Sequence, residues 1–349
     1  MPKPLFSGAI FMHEETTPMR VRSASVVMSP IVFMLAMLVA GGGAASAGTG
    51  CNKSSVDAQK LAKHAEMIQG EDPKAAAEEY KQASQMDPGN HRILQKLATL
   101  YEKQKDWQNA SETWSKASSA DPGKGSDDFA NYHFQRGYDL YQLAKKDPAH
   151  PNDLFQKAED PLKKAAQKDP NLADAWYYLG KCQYELDDEQ GALESFTKAI
   201  DTKANDLAYY VDLANLYLDL GYAQEGLDVS LAGQKMAPEA KFANEDQRNE
   251  AANMLYNLVL DEARAYELMG KGDDKIKALE KARNVPNPKN AAREAEFQLA
   301  IAYNDKGLPQ DACQALTNYL KSPQGKTPES MDNHKDADTK KFQWKCPGQ

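Results

Sequence analysis

The chain has 349 residues, with 51 Asp and Glu against 42 Lys and Arg and a formal net charge of −9 at neutral pH. That acidic balance, with no local basic patch to offset it, argues against nucleic acid and anionic lipid surfaces as partners. A mean hydropathy of −0.71 with 41% hydrophobic residues describes a water-facing body that still carries enough Ala, Leu and Tyr to fold.

In chain order the first element is a leader over residues 1–50. Val26 to Ala40 is an apolar run behind Arg20 and Arg22, the pattern of a secretory signal. It falls short of the roughly 20 residues that a membrane-crossing helix needs. Glu14 and Glu15 suit the cationic start of a signal poorly, so Met19 is the expected point of initiation. Two processing readings stay open. Ala45-Ser46-Ala47 fits cleavage by the ordinary signal peptidase, whereas Gly48-Thr49-Gly50-Cys51 resembles a bacterial lipobox, with Gly48 where an apolar residue usually stands. In the second reading Cys51 is lipidated and residues 51–55, Cys51 to Ser55, tether the folded body to its acyl chains.

Residues 56–321 are periodic. Gln85-Met86-Asp87-Pro88-Gly89 is echoed by Ser119-Ala120-Asp121-Pro122-Gly123 after 34 residues, then by Gln167-Lys168-Asp169-Pro170-Asn171 after 48. Ala204 and Pro238 follow Pro170 at further steps of 34, so the long step is one period plus a 14-residue insertion, expected near residues 147–152. Within the periods the clearest pattern is Trp176-Tyr177-Tyr178-Leu179-Gly180 followed by Ala192, Phe196 and Ala199. Helical spacing puts Trp176 and Leu179 on one face, and Gly180 and Ala192 are small where two antiparallel helices must touch. Related sets run through Leu97, Ala98, Tyr101 and Trp114, through Leu213, Ala214, Tyr217 and Gly221, and, more degenerate, through Ala263, Tyr266 and Gly270 and through Leu299, Tyr303 and Gly307.

These W-x-x-L-G and A-x-x-x-F elements at a 34-residue period resemble the tetratricopeptide repeat, TPR. The resemblance implies an all-α, right-handed solenoid of about seven helix-turn-helix repeats, whose first helices line a concave surface and whose ends need polar caps. Residues 322–349, rich in Lys, Asp, Pro and Gln, read as a loose polar tail.

The chain has no motif for catalysis, cofactor or metal: no G-x-S-x-G, H-E-x-x-H, phosphate loop or C-x-x-C pair. Pro122-Gly123-Lys124-Gly125-Ser126 lacks the upstream glycine of a phosphate loop and reads as a repeat linker, and the histidines have no i, i+4 partner. In TPR proteins four positions of each first helix point into the groove. Here they include Phe134, Tyr138, Tyr141, Tyr177, Lys181, Tyr184 and Asn215, which makes these the candidate partner-binding residues. The competing reading is that the rings pack between neighbouring repeats. The Lys and Asn set with which some TPR proteins hold a chaperone carboxylate is missing, since Gln95 and Thr99 stand in its first two places.

Cys182 falls among apolar neighbours in a first helix and lies several repeats from Cys313, too far for a bridge. A Cys313 to Cys346 disulfide is expected, pinning Phe342 and Trp344 over the last repeat. The resulting expectation is a non-catalytic scaffold, exported to the periplasmic face of a bacterial envelope and lipid-anchored to the outer membrane. It would bind a protein or peptide to assemble a secretion, pilus or motility complex, with a recruiting subunit of an enzyme acting on peptidoglycan or polysaccharide as the alternative.

Overall fold

The computed structural model describes residues 53–120, 127–237, 244–285, 291–321 and 328–346, and among these every regular element is an α-helix. Seven antiparallel pairs follow one another: α1 (Lys53–Ile68) with α2 (Pro73–Met86), α3 (His91–Lys103) with α4 (Trp107–Ala120), and α5 (Asp127–Ala144) with α6 (Pro151–Lys168). Next come α7 (Ala173–Glu185) with α8 (Glu189–Thr202), α9 (Leu207–Asp219) with α10 (Ala223–Met236), α11 (Glu245–Leu268) with α12 (Gly272–Arg283), and α13 (Ala291–Asp305) with α14 (Pro309–Lys321). A fifteenth helix, α15 (Pro328–Gln343), lies against α14.

Local chemistry sets the helix ends. Asp72 and Asp188 accept hydrogen bonds from the backbone amides of Ala75 and Gly191, and Pro73 supplies a helical φ in the first turn of α2. Five first helices stop at a left-handed residue: Lys105, Asp187, Gly221, Gly270 or Gly307. In each the next amide bonds back five residues, as Tyr222 does to Tyr217 and Leu308 to Tyr303. At Gly221, with φ +80°, glycine removes the penalty that Lys105 and Asp187 bear in the same turn.

Packing is serial. The apolar residues form a succession of clusters, one joining Tyr80 and Leu97 across α2 and α3, another joining Phe196, Tyr210 and Leu213 across α8 and α9, and a last one around Leu299 and Leu316. Each cluster is drawn from two or three consecutive repeats, as expected of a solenoid. Gly180 shows how close the paired helices come: a Cβ there would lie 2.8 Å from the Phe196 ring.

Three expectations need correction. The insertion is not concentrated near residues 147–152: α5 and α6 have 18 residues each, where α3, α4 and α7 to α10 have 13 or 14. Nine of the 14 added residues lengthen the two helices, because a longer helix satisfies its own backbone, and three lengthen the α5–α6 turn, which has six residues where the α3–α4 and α7–α8 turns have three. Second, the loose tail is a helix over Pro328–Gln343. It takes the register of a first helix. Ala337, fully buried, stands eight residues before left-handed Lys345, as Leu213 stands before Gly221, and the Cys346 amide closes the same turn on Lys341. Where a second helix would pack, Asp338 and Lys341 replace the small Ala214 and the ring of Tyr217, so the outer face is polar and closes the apolar edge. Third, Trp344 packs on the terminal cluster, but Phe342 is 71% exposed, because the helical phase that turns Ala337 inward turns Phe342 out. Cys313 and Cys346 are joined in a disulfide with their Cα atoms 5.3 Å apart. The leader and Cys51 lie outside the described residues.

Candidate functional site

The seven singled-out side chains divide into two groups. Phe134 and Tyr138 of α5 and Tyr177 of α7 join a ring cluster whose hub is Tyr178: its centroid is 6.1 Å from Phe134, 4.9 Å from Tyr138, 5.3 Å from Tyr141 and 5.2 Å from Tyr177. Tyr177 also lies 4.7 Å from Tyr209 of α9. These rings pack from repeat to repeat. The other four, Tyr141, Lys181, Tyr184 and Asn215, line a hollow of about 290 Å³ together with Lys145, Glu185, Phe196, Asp212 and Asp219. Tyr141 bridges the groups, since its ring is both buried and at the wall of the hollow.

Polar contacts cross each repeat boundary along this face. Lys145, just beyond α5, donates to Glu185 of α7 at 3.0 Å. Lys181 of α7 pairs with Asp212 of α9 at 2.8 Å, and the Tyr177 hydroxyl donates to the same carboxylate oxygen at 2.7 Å. Farther along, the Tyr184 hydroxyl and the Arg264 guanidinium of α11 both donate to Asp219, at 3.0 and 2.6 Å. Burial, reinforced by the Asp212 charge, pushes the Tyr177 phenol up, so it remains a neutral donor. Lys181 also lies 5.2 Å from the Tyr177 ring centroid, which places its ammonium over an aromatic face.

Sequence reasoning missed the acids. Asp212, Asp219 and Glu185 are not at the four family groove positions, yet they supply most of the charge in the hollow. A signal was present in their 34-residue equivalence: Glu185 and Asp219 occupy the same place in successive repeats. Tyr178 was missed for the opposite reason, since an aromatic at that place has no counterpart in the next repeat, where Asp212 stands.

Two buried carboxyls lie off the hollow. Asp139 of α5 is fully buried, neither of its oxygens has a partner, and burial with the nearby Glu102 charge pushes it up to about 9. Asp261 of α11 is 6% exposed with Oδ2 unpartnered. His133 is buried as well, and desolvation lowers its pKa. Cys182 is a free, buried thiol, pushed up by desolvation and so poorly nucleophilic. Among the described residues no three His, Cys, Asp or Glu side chains gather to hold a metal ion, and no helix is long and apolar enough to cross a membrane.

Comparison with known proteins fits this geometry. Two family profiles, both described as tetratricopeptide repeat, match residues 67–131 and 174–202. The second match begins one residue into α7 and ends with α8, the repeat that carries Trp176, Gly180 and Phe196. The chain carries tetratricopeptide repeats. A solved TPR structure, the C-terminal part of a repeat-containing protein from Cytophaga hutchinsonii, superposes with a TM-score of 0.57 at 16% identity, covering 80% of this chain and 98% of the other. A TPR protein from Parabacteroides merdae gives 0.49 at 16% identity over 82% and 99% of the two chains. Human PEX5-related protein is 30% identical over 81 residues, which are 23% of this TPR chain and only 13% of that protein's length.

Proposed function

We propose that this TPR protein is a non-catalytic scaffold that binds a peptide or partner domain across its first helices, with the hollow between α5, α7 and α9 as the centre of contact. The observation that carries this reading is the composition of the hollow: rings, cations, carboxylates and an amide drawn from three consecutive repeats around about 290 Å³. Ligand pockets for whole small molecules usually start near about 300 Å³ and are predominantly apolar. An open space of this size, with charges of both signs, suits one or two side chains of a longer segment lying along the repeats. Tyr184, 45% exposed at its rim, is the ring best placed to contact such a segment at little entropy cost.

We place this scaffold in the bacterial cell envelope, assembling a complex of secretion, pilus or motility type. Support comes from the signal pattern of Val26 to Ala40, the lipobox-like approach to Cys51, and the Cys313 to Cys346 bridge, a bond that persists in oxidising compartments. A photo-crosslinking amino acid at position 184, compared in cells with one at the exposed position 163 on α6, tests the docking face. The expected result is a discrete adduct from position 184 alone. Adducts formed only from position 163 would reject the hollow as the docking site.

A further inference from the structure

We infer that Asp261 is a subsite for a cationic side chain, lysine or arginine, of the segment bound in the hollow. This rests on the groove reading given above and specifies the chemistry of its ligand. Asp212 stands nine residues before the left-handed turn residue Gly221, and Asp261 nine before Gly270, so the two carboxyls occupy the same place in successive repeats. Asp212 is answered by the repeat before it, through the Tyr177 hydroxyl and the Lys181 ammonium. The residues 34 positions on from those two are Val211 and Asn215. Val211 has no donor on its side chain, and the Asn215 amide donates to the Val211 carbonyl at 3.0 Å. Arg264, one turn along α11 from Asp261, is held by Asp219 at 2.6 Å.

Asp261 is therefore more than nine-tenths buried with Oδ2 unpartnered, while its repeat equivalent has an ammonium at 2.8 Å. A buried carboxyl without a partner is costly, and an incoming cation that can hydrogen-bond removes that cost. Burial is what raises this carboxyl, to about 7, with Arg264 opposing and Asp219 and Asp212 adding to the rise. By register Asn215 stands before Asp261 as Lys181 stands before Asp212, and Asn215 lines the hollow, so Asp261 comes next along the first helices, on α11. A metal ion fits poorly, because no group of three suitable ligands occurs among the described residues. A lysine or arginine fits in charge and brings the hydrogen-bond donor that Oδ2 lacks.

The test is selection of a random peptide library on the full chain. Selected peptides should share Lys or Arg at one fixed position. Replacing that residue by norleucine should weaken binding about tenfold on the unaltered protein and less than about twofold on Asp261→Asn. Asn215→Lys, which sets an ammonium before Asp261 as Lys181 stands before Asp212, should also cost about tenfold while raising Tm. Selected peptides without a shared basic position, or an equal norleucine effect in Asp261→Asn, overturn the inference; if Tyr184→Ala still weakens those peptides, the groove reading survives. Peptides indifferent to Tyr184→Ala and Asn215→Ala, or no selected peptides at all, overturn both.

Discussion

Asp139→Asn should stabilise the protein, and more so as pH rises. The carboxyl is fully buried in α5, neither oxygen has a hydrogen-bond partner, and burial with the Glu102 charge raises its pKa from 3.8 to about 9. In the unfolded chain the group ionises near pH 4, whereas in the folded chain it keeps its proton up to about pH 9. Between those values the folded state binds one more proton than the unfolded state. Stability from this site is therefore full below pH 4 and falls by about 1.4 kcal/mol per unit as pH rises toward 9. At pH 7 the accumulated loss has a ceiling of about 4 kcal/mol, which a neutral isostere avoids. Urea unfolding followed by the fluorescence of Trp107 and Trp114, which belong to the adjoining repeat, should show the two proteins equal at pH 4 and Asp139→Asn increasingly ahead at pH 6, 7 and 8. A difference that is flat with pH, or an Asn variant that is the weaker protein at pH 8, would refute the reasoning by showing that the carboxylate is paired in solution.

Cys346→Ser should free α15: opening a bridge across 33 residues restores about 4 kcal/mol of chain entropy to the unfolded state, and hydrogen exchange should rise in α15 and α14 while α7 to α10 keep their protection. Unchanged exchange in α15 would show that Ala337 and Trp344 hold it without the bridge. Gly180→Ala inserts a methyl 2.8 Å from the Phe196 ring and should cost about 1–3 kcal/mol by calorimetry, whereas an unchanged Tm would mean the ring moves freely. Lys105→Gly, at a φ of 58°, should raise stability by roughly 1 kcal/mol, and a loss would mean that the Lys105 side chain contributes more than its backbone strain removes. Cys51→Ser should move the protein from membranes to the soluble fraction, and no change on fractionation would leave the ordinary signal-peptidase reading.

The fold was legible because its determinants are local and repeated. A Gly180 to Phe196 contact is written in the residues that make it, and the same small-against-large pairing recurs at a fixed period, so the helix pairs and their order follow from one short pattern. The tail misled because composition and phase disagree there. Residues 328–343 have the charge of a solvated segment, but Ala337 and Trp344, together with a covalent tie at Cys346, suffice to dock one helix whose other faces remain polar. Composition alone cannot report that, since a capping helix needs only a narrow apolar stripe.

The site was half legible, for a reason that bears on how it works. Family positions single out side chains by where they point from one helix, and Tyr184 and Asn215 do line the hollow. Whether such a side chain is available to a ligand is decided by the next helix: Asp212 claims Lys181 and Tyr177, and Asp219 claims Tyr184 and Arg264. Each contact across a repeat boundary stiffens the array and at the same time withdraws a group from recognition, so a partner must either displace a partly screened ion pair, worth about 1 kcal/mol or less, or use the groups left over. Between α9 and α11 the pattern changes, because Val211 and Asn215 supply neither the hydroxyl nor the ammonium that the preceding boundary has. Asp261 is thus left without the answer that Asp212 has, and an outside donor gains most there. Under the proposed groove function, recognition on this surface concentrates where the repeats depart from one another.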